Sequence, residues 1–151
     1  MTSRERLDAA LNHREPDGIP VDFNGTAVTG MHVNCVIGLR EHYGLERRPV
    51  KVHEPYQMLG WIDEDLEQVL GIDVEGVWGV ETLFGFRNEN WKSWRMDNGR
   101  EVLVSEHFEV TKDANGDTLI FPRGDRSAPP SGRRAMNVIL SACTMRGRSP
   151  E

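Results

Sequence analysis

Ile72-Asp73-Val74-Glu75-Gly76-Val77-Trp78 reads as a strand, and what precedes it decides the fold. Upstream, Ile19-Pro20-Val21-Asp22-Phe23 is a second apolar run of strand length, and Asn24-Gly25-Thr26 turns the chain away from it. Between the two runs the spacing is helical. Val36, Leu39 and Tyr43 share one face of a helix predicted over 28–43 and stopped by Gly44. From Pro55, Leu59, Ile62, Leu66, Val69 and Leu70 recur every three or four residues until Gly71 closes a further helix. Strand, helices and strand in this order predict a right-handed βαβ crossover with two parallel strands. The fold class expected is α/β.

Outward from this unit the grammar changes twice. At the start, Thr2 and Glu5 stand three apart as a capping box, Leu7, Ala10 and Leu11 follow at helical spacing, and Pro16-Asp17-Gly18 ends the helix. After Trp78 the period becomes two. Strands are predicted at 91–96, 101–104, 108–112 and 118–121, with Asp97-Asn98-Gly99 and Asn115-Gly116-Asp117 as turns, an antiparallel meander or two hairpins. Residues 123–132 are polar and rich in Pro and Gly, hence a loop. Residues 133–151 are atypical: four arginines and no acid before Glu151, an apolar run without capping signals, and the expectation of a disordered or out-of-frame tail.

Composition narrows the function classes. The 151 residues suffice for one domain, whereas a complete (β/α)8 barrel needs about 250. Hydrophobic residues at 38% and charged residues at 28% suit a globular domain and argue against disorder. Residues 1–132 carry fourteen basic and twenty-three acidic side chains, a net of −9 that repels nucleic acid. The longest apolar stretch, near 138–143, is too short to span a bilayer, and the N-terminus lacks the apolar region of a secretory signal. Cys35 and Cys143 offer neither a disulfide framework nor a paired metal knuckle. A cytoplasmic protein is expected, without nucleic-acid or membrane partners.

Chemistry in an α/β fold sits at the C-terminal ends of parallel strands. Those residues are Asp22, Asn24 and Gly25 after the first run, and Trp78, Gly79 and Glu81 after the second. Asp22 is the candidate catalytic group, because a carboxylate in an apolar strand needs a partner or a task. Capping a helix or pairing with an arginine is the plainer alternative. Asn24, Gly25, Trp78 and Glu81 are the candidate substrate-binding residues. His32 and Cys35 stand three apart on a predicted helix, a spacing that can hold a metal, yet no further Cys or His lies near and a packed helix face explains them better. Trp91 and Trp94 fall on opposite faces of their strand and read as hairpin packing. Gly76, Gly79 and Gly85 make no dinucleotide fingerprint, and there is no phosphate-binding lysine loop.

The opening Ser3-Arg4-Glu5-Arg6-Leu7-Asp8-Ala9-Ala10-Leu11-Asn12-His13-Arg14-Glu15-Pro16-Asp17-Gly18-Ile19-Pro20-Val21 resembles the start of the uroporphyrinogen decarboxylase superfamily, whose members often begin "RER-x-x-AL-x-H-x-x-PDR-x-PV". Leu70-Gly71-Ile72-Asp73 resembles that family's "LG-x-D" before its second strand. The resemblance covers residues 3–132 of a protein family more than twice this length. It implies the N-terminal portion of an incomplete (β/α)8 TIM barrel, with the antiparallel hairpins as an insertion. It also implies one of two activities, tetrapyrrole decarboxylation without a cofactor or methyl transfer from a methylcobamide to a thiol. The decarboxylase hallmark "PVW-x-MRQAGR", laid on Pro20-Val21, puts its tryptophan at Asp22 and its two arginines at Gly25 and Thr29. Neither cation is present, which favours the methyltransferase-like branch. Zinc and a corrinoid would then serve a full-length parent, and no cofactor ligand is assigned within this chain. The chain alone is expected to be inactive. Its incomplete sheet is expected to self-associate through the open edges at 19–23 and 74–78. The alternative is a non-catalytic α/β interaction module with the tryptophan-bearing hairpins as its contact surface.

Overall fold

In the computed structural model, residues 1–26 and 29–131 are described; the start of the helix expected from 28 and the tail 133–151 lie outside them. Helix α1, Ser3–Leu11, begins with the capping box: the Thr2 hydroxyl accepts from the Glu5 N–H at 3.2 Å, and the Glu5 carboxylate accepts from the Thr2 N–H at 2.8 Å. Two donors that a helix start would otherwise leave unpaired are thereby satisfied. Arg6, one turn in, bridges Asp17 at 2.7 Å and Asp73, fastening α1 to chain far ahead of it.

Helix α2 spans Val33–His42, starting later than its periodicity suggests because His32 caps it: Nδ1 accepts the Asn34 N–H at 3.1 Å. The helix expected from Pro55 forms only as α3, Glu64–Leu70, closed by Gly71 in the left-handed region at φ 64°. Ahead of it, β1 (Val52–Glu54) and β2 (Leu59–Gly60) pair antiparallel. The reason is local. The Glu54 carboxylate accepts the N–H groups of Tyr56 at 2.9 Å and Gln57 at 2.7 Å, and Met58 adopts φ 55°, so the chain turns back where a helix would begin. Leu59 and Ile62 are buried all the same, in a strand and a loop rather than on a helix face. Arg40, only 3% exposed, ties α2 to α3 through a two-pronged bond to Asp65 at 2.8 and 2.9 Å and also donates to the Glu46 carbonyl.

Two hairpins follow. β3 (Lys92–Arg95) pairs with β4 (Glu101–Val104), Trp94 opposite Val102, and β5 (Val110–Lys112) pairs with β6 (Thr118–Ile120). Gly99 at φ 81° and Gly116 at φ 84° make the turns, as their sequence predicts. A single parallel bridge from Lys51 to Leu103, with the Leu103 N–H on the Val50 carbonyl at 2.9 Å, joins the first hairpin to β1. Val33, Val36, Ile62, Leu66, Val102 and Phe108 meet in one core beneath these elements. Among the described residues no helix is long and apolar enough to cross a membrane.

The expected βαβ unit takes a different form. Neither 19–23 nor 72–78 carries an assigned strand, and no closed barrel occurs among the described residues. The two runs nevertheless lie side by side. The Asp73 N–H donates to the Val21 carbonyl at 2.9 Å, and a Cβ on Gly76 would sit 2.3 Å from the Asn24 carbonyl. Both contacts join positions equally far apart in sequence, so the runs point the same way. No ladder grows from that single bond, since the Val21 N–H, which faces the second run, goes to the Asp73 carboxylate at 3.0 Å.

Candidate functional site

Asp22 folds its own loop. Its Oδ1 accepts the Gly25 N–H at 2.8 Å and the Thr29 hydroxyl at 3.3 Å, so it neither caps a helix nor pairs with an arginine. The arginine partner belongs to Asp73 instead. The Val21 N–H and the Arg6 guanidinium at Asp73 hold its carboxyl below the ordinary carboxylate value. Asp22 itself remains exposed. Within the loop Asn24 adopts φ 85°, a left-handed conformation that asparagine tolerates, and it is 5% exposed. Its Oδ1 has no hydrogen-bond partner among the described residues.

Gly25 is tightly enclosed, since a Cβ there would lie 2.5 Å from Asp22 Oδ1 and 2.9 Å from a methyl of Val74. Gly76 is enclosed from both sides. Its Cβ would meet the Asn24 carbonyl and, at 3.0 Å, two ring carbons of Trp78. The loop after the first run and the end of the second therefore touch. Of the candidate residues, Asp22, Asn24, Gly25 and Trp78 belong to this one contiguous region. Glu81 is exposed beyond it.

Trp78 leads to a residue that carried no signal in the sequence. Its ring lies 4.3 Å from that of His53, and Trp61 completes the cluster at 5.8 Å from His53 and 5.9 Å from Trp78. His53 is 4% exposed, and its Nε2 has no hydrogen-bond partner among the described residues. Burial pushes the imidazole down to about 4, so it is neutral at pH 7. Asn88 donates to the His53 backbone carbonyl at 2.6 Å. A neutral imidazole can offer or accept one hydrogen bond at that nitrogen.

His32 uses Nδ1 to cap α2, and burial lowers its affinity for a proton. Among the described residues, a single group of His, Cys, Asp or Glu has three ligand atoms close enough to share an ion, and it is Glu89, Glu106 and His107. All three are exposed, none is a thiolate, and Glu106 already accepts from Asn90 at 2.6 Å. These donors do not fit a zinc–thiolate centre. Trp94 packs inward against Phe108 with ring centres 5.2 Å apart, whereas Trp91 lies beneath the Lys51 ammonium at 5.4 Å, a contact outside the hairpin.

Comparison with family models, with curated proteins and with solved structures returned no match.

Proposed function

We propose that this chain is the N-terminal portion of a cytoplasmic, uroporphyrinogen decarboxylase-like barrel enzyme of the methylcobamide:thiol methyltransferase-like branch, inactive without the rest of that enzyme. One observation carries the reading. Two runs that point the same way deliver Asn24 and Trp78 to a common patch at their C-terminal ends, beside a buried neutral His53. That is the layout by which a barrel assembles a site from successive strands. In the whole enzyme Trp78 and Trp61 would offer aromatic area to a large ring ligand, and Asp22 would supply a carboxylate at the rim.

Gly25 favours the methyltransferase-like branch over the decarboxylase. The decarboxylase pattern has an arginine at that position, whereas a Cβ at Gly25 would press on the Asp22 carboxylate and a Val74 methyl. At the second arginine position, the Thr29 hydroxyl is engaged with Asp22 and Thr26. A polyanionic tetrapyrrole would find no bidentate partner at either place. The corrinoid would supply the methyl group when bound. No step is assigned to zinc, since the described residues do not suit it.

Equilibrium dialysis against methylcobalamin, with uroporphyrin as the competing tetrapyrrole, tests the reading. The expected result is saturable uptake of methylcobalamin that Trp78→Ala weakens at least about fivefold, about 1 kcal/mol of binding. Preferential uptake of uroporphyrin would move the chain to the decarboxylase branch. Uptake of neither, with the fold intact, would overturn the assignment.

A further inference from the structure

We propose that the basic and apolar segment 133–148 of this chain docks, through its side chains, on the exposed apolar stretch 77–83. The inference does not depend on the corrinoid reading. Val77, Val80 and Leu83 are 94%, 69% and 78% exposed. Apolar residues scattered singly over a surface are ordinary, but here three large ones fall within seven residues. Phe23, from the run that touches Gly76, is exposed as well. Glu75 and Glu81 stand among them, and both are exposed.

The chemistry of this stretch selects its occupant. Residues 133–148 carry Arg133, Arg134, Arg146 and Arg148 and no acid, while residues 1–132 carry a net of −9. Between the two arginine pairs lies Val138-Ile139-Leu140. Such a segment gives the exposed valines and leucine an apolar partner and gives Glu75 and Glu81 their cations. A second copy of this stretch would bring the same two acids to the contact from both sides. The net charge of −6 adds longer-range repulsion between copies.

The route is short enough. Ser131, the last described residue, pairs with Ile120 through two backbone bonds, at 2.8 and 3.4 Å. Three residues beyond Ile120, the Arg123 N–H donates to the Phe84 carbonyl at 2.8 Å, one residue from Leu83. From Ser131 to Leu83 this path is at most about 25 Å. Leu140 stands nine residues past Ser131 and can reach about 30 Å. The tether also keeps the segment at an effective concentration that a free partner must outcompete. Because side chains make the contact, the backbone of 74–81 stays unpaired.

Cys143, inside the segment, carries the test. A nitroxide is attached to it in the full chain bearing Cys35→Ala, and amide NMR maps where the label broadens signals. Broadening should centre on 77–84 and be the same in dilute and concentrated samples. Val80→Ser/Leu83→Ser and, separately, Glu75→Gln/Glu81→Gln should each reduce it severalfold while circular dichroism stays that of the parent. All four positions are exposed, so the fold survives these changes. Mixing the spin-labelled chain with an isotope-labelled chain that lacks the nitroxide reads contacts between copies, and it should show none at 77–84. Broadening centred elsewhere, broadening that either pair of substitutions leaves unchanged, or broadening at 77–84 in the mixed sample would overturn the proposal.

Discussion

Residues 92–120 and residues 72–81 are built from similar material, short runs of valine, tryptophan and threonine or glutamate punctuated by glycine, and they end in opposite states. In the first region each strand finds its partner a few residues away, because Gly99 and Gly116 take the positive φ that folds the chain back on itself. In the second, the neighbouring run lies 52 residues upstream at Val21, and one backbone bond joins the two. Closing a long loop costs entropy before any ladder repays it, and the Asp73 carboxylate takes the Val21 N–H that a ladder would use. Partner proximity, more than strand propensity, separates a finished sheet from an open one here. The unfinished region is also the one that gathers Asn24, Trp78 and His53.

The largest effect should come from the finished region. Phe108 is 4% exposed and packs edge-on against Trp94, so Phe108→Ala should cost about 3–5 kcal/mol in chemical denaturation and loosen both hairpins. Next comes acid. The His53 imidazole is held down to about 4, whereas in an unfolded chain it takes a proton near its ordinary 6.5. The unfolded state therefore gains protons first, and stability falls as pH drops from 6.5 to about 4 while staying level above 6.5. The loss should reach up to about 3 kcal/mol, and His53→Phe should remove it from a pH series of denaturation curves.

Smaller still is Gly76→Ala. Its Cβ would press on the Asn24 carbonyl and the Trp78 ring, and a cost of about 1–3 kcal/mol with altered Trp78 fluorescence is expected. Asp22 separates structure from chemistry: Asp22→Asn keeps the Oδ1 acceptor for Gly25 and Thr29, so stability should change by less than about 1 kcal/mol. Activity of a full-length relative should fall by more than that. The smallest effect is Val77→Ser, which removes an almost fully exposed side chain and should shift stability by at most about 0.5 kcal/mol.

Local rules made much of the molecule legible. The capping box of α1, the left-handed stop at Gly71 and the two glycine turns each depend on a few adjacent residues, and each stands where the sequence put it. The helix expected from Pro55 failed because one side chain, Glu54, captured the backbone donors of the next two residues and bent the chain. Periodicity sees apolar spacing and is blind to such a capture. In the candidate site, Asn24, Gly25 and Trp78 were legible as the ends of two apolar runs, although neither run forms a strand. His53 and Asn88 were not, because their closeness to Trp78 depends on β1 and the 82–88 loop folding over one another. Asp73 was hidden too, since nothing local distinguishes it from Asp22; only the arrival of Arg6 does.

Residue-by-residue amide exchange of the whole chain tests the contrast between the two regions most directly. Amides of 92–95 and 101–104 that pair across β3 and β4 should be protected together, through opening of the core, while those of 74–81 exchange orders of magnitude faster. Protection of 74–81 equal to that of the β3–β4 hairpin, in the isolated chain, would contradict the open edge and with it the separation of a finished half from an unfinished one.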